Sequence, residues 1–228
     1  MKAKLVELVK TVVIAFLVWL VISTFLVQGY RIPSPSMVGT LLPGDWLFVT
    51  KALYGAEVPL INRRMPGFRE PRRGDVVVFH SVEEDLSVVK RVIGLAGDTL
   101  SMKDGTVIRN GQPLSEPYVT PPVALRSETA ETRDRMRRWQ LPHLVGTAPA
   151  DYHPDLYQWG PIVVPPDSLF VMGDNRDNSY DGRYWGFLPR HNIRGAPLII
   201  YYSYDPDSWH PLPFLTAIRW GRIGTRPH

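Results

Sequence analysis

Two residues, Ser36 and Lys90, have types and settings that would support chemistry together. Ser36 lies in the run PSPSM, and a serine hydroxyl becomes a useful nucleophile only when a neighbouring base takes its proton. Lys90 sits inside the apolar run VVKRVIGL, where strand alternation puts Val88 and Val92 on its own face. Each has an ordinary reading as well: a serine between prolines is commonly a turn residue, and a strand lysine commonly lies at an edge or on a solvated face. If the face of Lys90 is buried instead, desolvation lowers its pKa by as much as ~3 to 5 units. A neutral amine is then present near pH 7, and a neutral amine is a base. Moving the pKa from about 10.4 to about 7.5 costs roughly 4 kcal/mol, which a fold tolerates mainly for function. Farther along, GDNRDNSYDGR gathers Asp174, Arg176, Asp177, Asp181 and Arg183; alone it reads as a solvated loop. A calcium loop is excluded there, because the 12-residue spacing and its terminal glutamate are missing.

These residues need elements to hold them. The 228 residues, 44% hydrophobic and 21% charged, suffice for one packed domain and an anchor. Twenty-two prolines and 18 glycines between short apolar runs favour a turn-rich β architecture over a helical bundle. Strand signals are dense in GDVVVFH, LSVVKRVIGL and GTVIRNGQPL and return in SLFVMGD and APLIIYYSY. DGTVIRNGQPL reads as a hairpin. Residues 120–160 change character and read as an insertion in the β domain carrying one short helix. No cysteine is present, which excludes a disulfide framework, thiolate metal sites and a cysteine nucleophile.

The N-terminus points to a membrane. Val12–Val27, VVIAFLVWLVISTFLV, is apolar except for Ser23 and Thr24, and roughly 20 apolar residues cross a hydrocarbon core of about 30 Å. The expected division is therefore a cytoplasmic N-terminus and single transmembrane helix over 1–28, then an extracytoplasmic β-rich domain over 29–228. Lys2 and Lys4 set that orientation. A removable signal peptide would have a shorter apolar run and a small-x-small cleavage site, whereas this run ends in FLVQGYR. The net charge of +4 and pI near 9.4 suit an anionic membrane surface, and with the apolar N-terminus no nucleic-acid partner is expected.

Four ordered blocks, PSPSMVGTLLPGDWLFV, RRGDVVVFH, VVKRVIGLAGDTL and GDNRDNSYDGRYWGFLP, resemble the bacterial type I signal peptidases. The N-terminal anchor and IRWGRIG near the end are similar too. The resemblance implies an antiparallel β-sheet catalytic domain with an inserted subdomain, needing no cofactor or metal, that removes signal peptides from exported preproteins after small-x-small sequences. It implies Ser36 as nucleophile, Lys90 as general base, Ser34 and the Ser36 N–H as oxyanion donors, and Ser179 as a hydrogen-bonding partner that orients the lysine. Arg91 with Asp174, and Asp181 with Arg183, would be supporting ion pairs. Ile32, Met37, Leu41, Val88 and Val89 match pocket-lining positions, although burial in the core accounts for each singly. One departure is Gly39, where the family has proline, and it is expected to loosen the turn after Ser36. Two other readings remain open: a Ser-Lys peptidase dedicated to one precursor, and a catalytically inactive, membrane-anchored binding module. A self-cleaving DNA-binding regulator would need a helix-turn-helix where the apolar segment stands.

Overall fold

The computed structural model describes residues 2–21, 26–55, 57–58, 63–120 and 128–227. Helix α1 (Lys2–Val21) leads into strands β1 (Val27–Arg31) and β2 (Asp45–Thr50), with a 3-10 turn at Pro35–Met37 between them. A two-stranded ribbon follows, β3 (Glu57–Val58) with β4 (Arg63–Arg64), then β5 (Val76–His80), β6 (Ser87–Leu95), β7 (Thr99–Lys103), β8 (Thr106–Arg109) and β9 (Gln112–Pro113). Helix α2 (Ala130–Gln140) precedes β10 (Trp159–Val163), β11 (Ser168–Met172), a 3-10 turn at Arg176–Asn178, α3 (Gly182–Trp185) and β12 (Leu188–Pro189). The long β13 (Ile193–Ser203) and the short α4 (Pro213–Thr216) complete the order. The expected mostly β, antiparallel architecture is present.

Seven strands form one sheet in the order β1-β2-β13-β5-β6-β11-β12, and four form a second in the order β10-β7-β8-β9. The run VVVFH of β5 is continuous in apolar residues because both faces of the strand are buried. Val77 and Phe79 pack with Tyr54, Val92, Leu169, Val171 and Ile193, while Val76 and Val78 pack on the other face with Leu47, Val49 and Ile200. A third cluster joins the sheets: Ile93, Phe170 and Met172 of the large sheet meet Leu100, Met102, Val107 and Ile162 of the small one. The expected hairpin is β8–β9. Its turn residues Asn110 and Gly111 have φ of 53° and 78°, the left-handed pair that a two-residue hairpin turn requires.

The 120–160 segment contains one α-helix, α2, among its described residues, and residues 121–127 lie outside the described part of the chain. Thr129 caps α2, accepting a hydrogen bond from the Thr132 N–H at 3.2 Å. Met136 and Leu156 pack with Tyr184, so the insertion rests on α3.

The N-terminal expectation needs correction. Among the described residues no helix is long and apolar enough to cross a membrane. Helix α1 begins at Lys2 and ends at Val21, so it includes Lys4, Glu7 and Lys10 in its first half. The described uncharged stretch from Thr11 to Val21 covers about 15 Å at 1.5 Å per residue. Residues 22–25 of the expected span lie outside the described residues, and the chain is extended again from Val27.

Candidate active site

Ser36 sits at the centre of the 3-10 turn Pro35–Met37, with extended Ser34 as its N-cap. Pro35 presets the backbone for this position. The first N–H groups of any helical turn lack an internal partner, so the Ser36 N–H is placed where an external acceptor would bind. The turn is pinned from the far side of the sequence: the Asn175 N–H donates to the Ser36 carbonyl at 3.1 Å, and Asn175 Nδ2 donates to the Pro35 carbonyl at 3.1 Å. Ser34 Oγ lies 3.4 Å from Ser36 Oγ.

Lys90 comes from β6, opposite Val77 in the ladder with β5. Its face is buried, since Val92 belongs to the core cluster beneath it and Val88 packs against the same cluster. Lys90 itself is 2% exposed. Its Nζ donates to Ser36 Oγ at 2.6 Å, which joins the two residues singled out at the start. Burial pushes the amine down to about 8; the Asp181 and Asp174 carboxylates oppose this, and the Arg183 guanidinium adds to it. A lysine so placed is a base near neutral pH.

Arg91, the next residue, points to the opposite face and forms the expected pair with Asp174. Its Nε and Nη2 donate to the two carboxylate oxygens at 2.8 and 2.7 Å. Thr40 completes this buried cluster, donating to Asp174 Oδ2 at 2.6 Å and accepting from Arg91 Nη2 at 2.9 Å. The ring of Tyr118 lies 3.8 Å from the Arg91 guanidinium carbon. Thr120 ties the same region to the nucleophile turn: its hydroxyl donates to the Val38 carbonyl at 2.7 Å and its N–H to the Asp174 carbonyl at 3.1 Å. Sequence reasoning missed Thr40, Tyr118, Thr120 and Asn175, because a hydroxyl, phenol or amide in a loop carries no distinguishing local pattern.

Asp181 and Arg183 also pair as expected, in a setting with almost no solvent. Arg183 donates through Nε and Nη2 to the carboxylate at 2.9 and 3.0 Å, and through Nη2 to the Arg176 carbonyl at 2.6 Å. The Gly173 N–H donates to Asp181 Oδ2 at 2.9 Å. Burial alone would raise the Asp181 carboxyl, but the Arg183 charge and these hydrogen bonds outweigh it and hold the group below the ordinary range. Gly173 is required by close approach: a Cβ there would stand 2.5 Å from the Ser36 carbonyl oxygen and 2.3 Å from Ser179 Oγ.

Ser179 departs from expectation. It is buried beside the nucleophile turn, but its Oγ has no hydrogen-bond partner among the described residues, so the bond expected from Ser179 to the Lys90 amine is not formed here. The hydroxyl occupies the space over Gly173, while Lys90 Nζ is engaged by Ser36 Oγ.

The geometry is that of a serine peptidase with a lysine base, and comparison with known proteins assigns the family. Residues 5–202 match the family described as "Signal peptidase, peptidase S26". The chain belongs to that family. Among curated relatives, a signal peptidase I of Leptolyngbya laminosa is 37% identical over 86% of this chain and 78% of its own length. A signal peptidase I of Pseudomonas aeruginosa is 35% identical over 94% of this chain and 78% of its own length. A crystal structure of a signal peptidase I from Enterococcus faecalis V583 is 27% identical, covering 56% of this chain and 97% of that one at a TM-score of 0.36.

The signal peptidase pocket positions divide in two. Ile32, Met37 and Leu41 are buried together in one apolar cluster, with Val89 and Tyr30 half-buried against it. Val88 points to the other face of β6 and packs with a different cluster. The departure at Gly39 has a reason. Its φ is +108°, and a Cβ would meet the Tyr118 carbonyl oxygen at 2.6 Å. Proline cannot adopt that φ. The turn is therefore closed by the 118–120 segment and is not loosened by the glycine. The block GDW has a partner near the chain's end: buried Asp45 accepts from Ser203 Oγ at 2.7 Å and from Arg222 Nε at 2.9 Å.

Proposed function

We propose that this chain removes N-terminal signal peptides from exported preproteins, with Ser36 as nucleophile and Lys90 as general base. The observation that carries the reading is the 2.6 Å hydrogen bond between Lys90 Nζ and Ser36 Oγ in a setting where burial brings the amine to about 8. Neutral Lys90 accepts the Ser36 proton as Oγ attacks the scissile carbonyl. The resulting ammonium gives its proton to the leaving amine, and neutral Lys90 then activates the water that hydrolyses the acyl-enzyme. The Ser36 N–H and the Ser34 hydroxyl supply the oxyanion donors; losing one such donor costs roughly 10²- to 10³-fold in rate. Ser36 Oγ is the group that holds the Lys90 amine, and Ser179 stands beside the pair. The Ser179 hydroxyl is buried without a partner among the described residues and adjoins the Ser36 carbonyl over Gly173.

Substrate binds as an added strand. On its β11 side, β6 is paired only from Arg91 to Leu95, which leaves the edge at Ser87–Val89 open beside the Ser36 turn. An extended peptide can use that edge. Val89, half-buried over the cluster of Ile32, Met37 and Leu41, is the residue of this set placed to meet a small side chain, with Val88 on the other face of β6.

The enzyme attaches to the cytoplasmic membrane through α1, with the catalytic domain on the extracytoplasmic side. Side chains around α1, among them Leu5, Val9, Val13, Phe16, Leu17 and Trp19, are more than 48% exposed; a bilayer is the partner that suits them. Near the other end of the chain, Trp209, Leu212, Phe214, Leu215 and Trp220 are also exposed and suit the headgroup region.

The test is cleavage of an Ala-x-Ala preprotein in detergent by the unaltered chain and by Ser36→Ala. Cleavage at that site by the unaltered chain alone is expected. Cleavage by Ser36→Ala would refute the assignment, and cleavage of one precursor but not of unrelated preproteins would favour the dedicated peptidase.

A further inference from the structure

We propose that a crevice on the inserted subdomain binds a phosphate-type oxyanion through Arg133, Arg137 and His153. The crevice measures about 380 Å³ and is lined by Ala130, Arg133, Asp134, Arg137 and His153. It is separate from the peptidase site, and the inference does not rest on the peptidase reading.

Helix α2 carries four arginines, and they divide by partner. Arg135 pairs with Glu83, and Arg138 pairs with Asp134 at 3.3 Å. Arg133 and Arg137, one turn apart on the same face, have no carboxylate partner among the described residues. Arg137 Nε is moreover buried with no hydrogen-bond partner among the described residues, a state that native proteins rarely leave without an acceptor. The third donor, His153, is exposed on a loop whose preceding residue is held. Tyr152, next to His153, donates through its hydroxyl to Gln140 Oε1 at the end of α2 and accepts from the Gly160 N–H at 2.9 Å. The loop bearing His153 is thereby fastened to the helix bearing the arginines. Asp134, the carboxylate on the rim, already has its charge met by Arg138.

Two guanidinium forks and an imidazole converging from two elements suit a group with three acceptor oxygens. A phosphate ester meets that description. It can come from a lipid headgroup or from a soluble phosphate.

The experiment uses the full chain in maltoside micelles with labelled histidines, the His153 resonance being assigned by His153→Gln. Inorganic phosphate is titrated against chloride at matched ionic strength. A saturable shift of His153 is expected, with affinity reduced about tenfold or more in Arg133→Gln and in Arg137→Gln, and unchanged in Arg72→Gln outside the crevice. Arg133 is exposed, so its variant keeps the test informative if Arg137→Gln fails to fold. Absence of a shift, its survival in Arg133→Gln, or equal loss in Arg72→Gln would overturn the proposal. Phosphatidylglycerol is then doped into phosphate-free micelles. The same shift identifies a lipid headgroup as the source, and no shift beside a positive phosphate titration identifies a soluble phosphate.

Discussion

Replacing Lys90 by methionine is expected to abolish cleavage and, at neutral pH, to make the protein more stable. The folded amine is held at about 8 against an ordinary 10.5. Below pH 8 the lysine is protonated in both folded and unfolded chains, and the folded state bears the whole cost of a buried charge, about 3 kcal/mol at 1.36 kcal/mol per unit. Between pH 8 and 10.5 the unfolded chain holds more protons, so stability rises with pH. Above 10.5 the cost is gone. Methionine keeps an unbranched side chain without the amine, and it forfeits the hydrogen bond to Ser36 Oγ, worth about 1 kcal/mol. Lys90→Met should therefore be more stable by about 2 kcal/mol at pH 7 and lose that advantage by pH 10.5. Urea unfolding of both proteins in one mild detergent measures this, because other titrating groups cancel in the difference. A difference that stays flat from pH 7 to 10.5, or a methionine variant that is the weaker one at pH 7, would refute the argument that Lys90 is a desolvated base.

With Lys90 titrating at about 8, kcat/KM should rise roughly tenfold between pH 7 and 9 and then level off; a continued climb to pH 10.5 would indicate an ordinary lysine. Asp181→Asn leaves Arg183 buried without its carboxylate and should cost about 3 to 5 kcal/mol in unfolding experiments. Asp181 also raises the Lys90 pKa, so the midpoint of any residual pH–rate profile should move down. Gly39→Ala places a Cβ 2.6 Å from the Tyr118 carbonyl oxygen at a φ of +108°, and it should lower both Tm and kcat, whereas Gly111→Ala, at a positive φ but with open space around it, should lower Tm alone.

Much of the site was legible because it rests on strand alternation. Alternation puts Lys90 with Val88 and Val92 and turns Arg91 to the other face, and the only fact lacking was which face is dry. The flanking strands supply it, since β5 is buried on both sides. Asp174 with Arg91 and Asp181 with Arg183 were legible through family resemblance, because charged residues at such spacing read locally as a solvated loop. What depends on tertiary approach was not legible. Glycine at position 39 reads as slack until the Tyr118 carbonyl is seen against it, and the hydroxyls of Thr40 and Thr120 acquire meaning only through partners 134 and 82 residues away. The hydropathy of Val12–Val27 indicates a spanning helix, whereas the described helix α1 runs from Lys2 to Val21 and carries Lys4, Glu7 and Lys10 in its first half.

The tie between Asp45 and Arg222 bears on how the site closes. Asp45 follows the nucleophile turn closely, yet the guanidinium that neutralises it is supplied 177 residues later, and the same Arg222 donates to the carbonyl of Thr40, just after that turn, at 3.0 Å. Until Arg222 is in place, the carboxylate buried at the start of β2, beyond the Ser36 turn, lacks the guanidinium that pairs with it. The surroundings of the nucleophile therefore assemble from segments far apart in sequence, and their closure depends on the segment that carries Arg222.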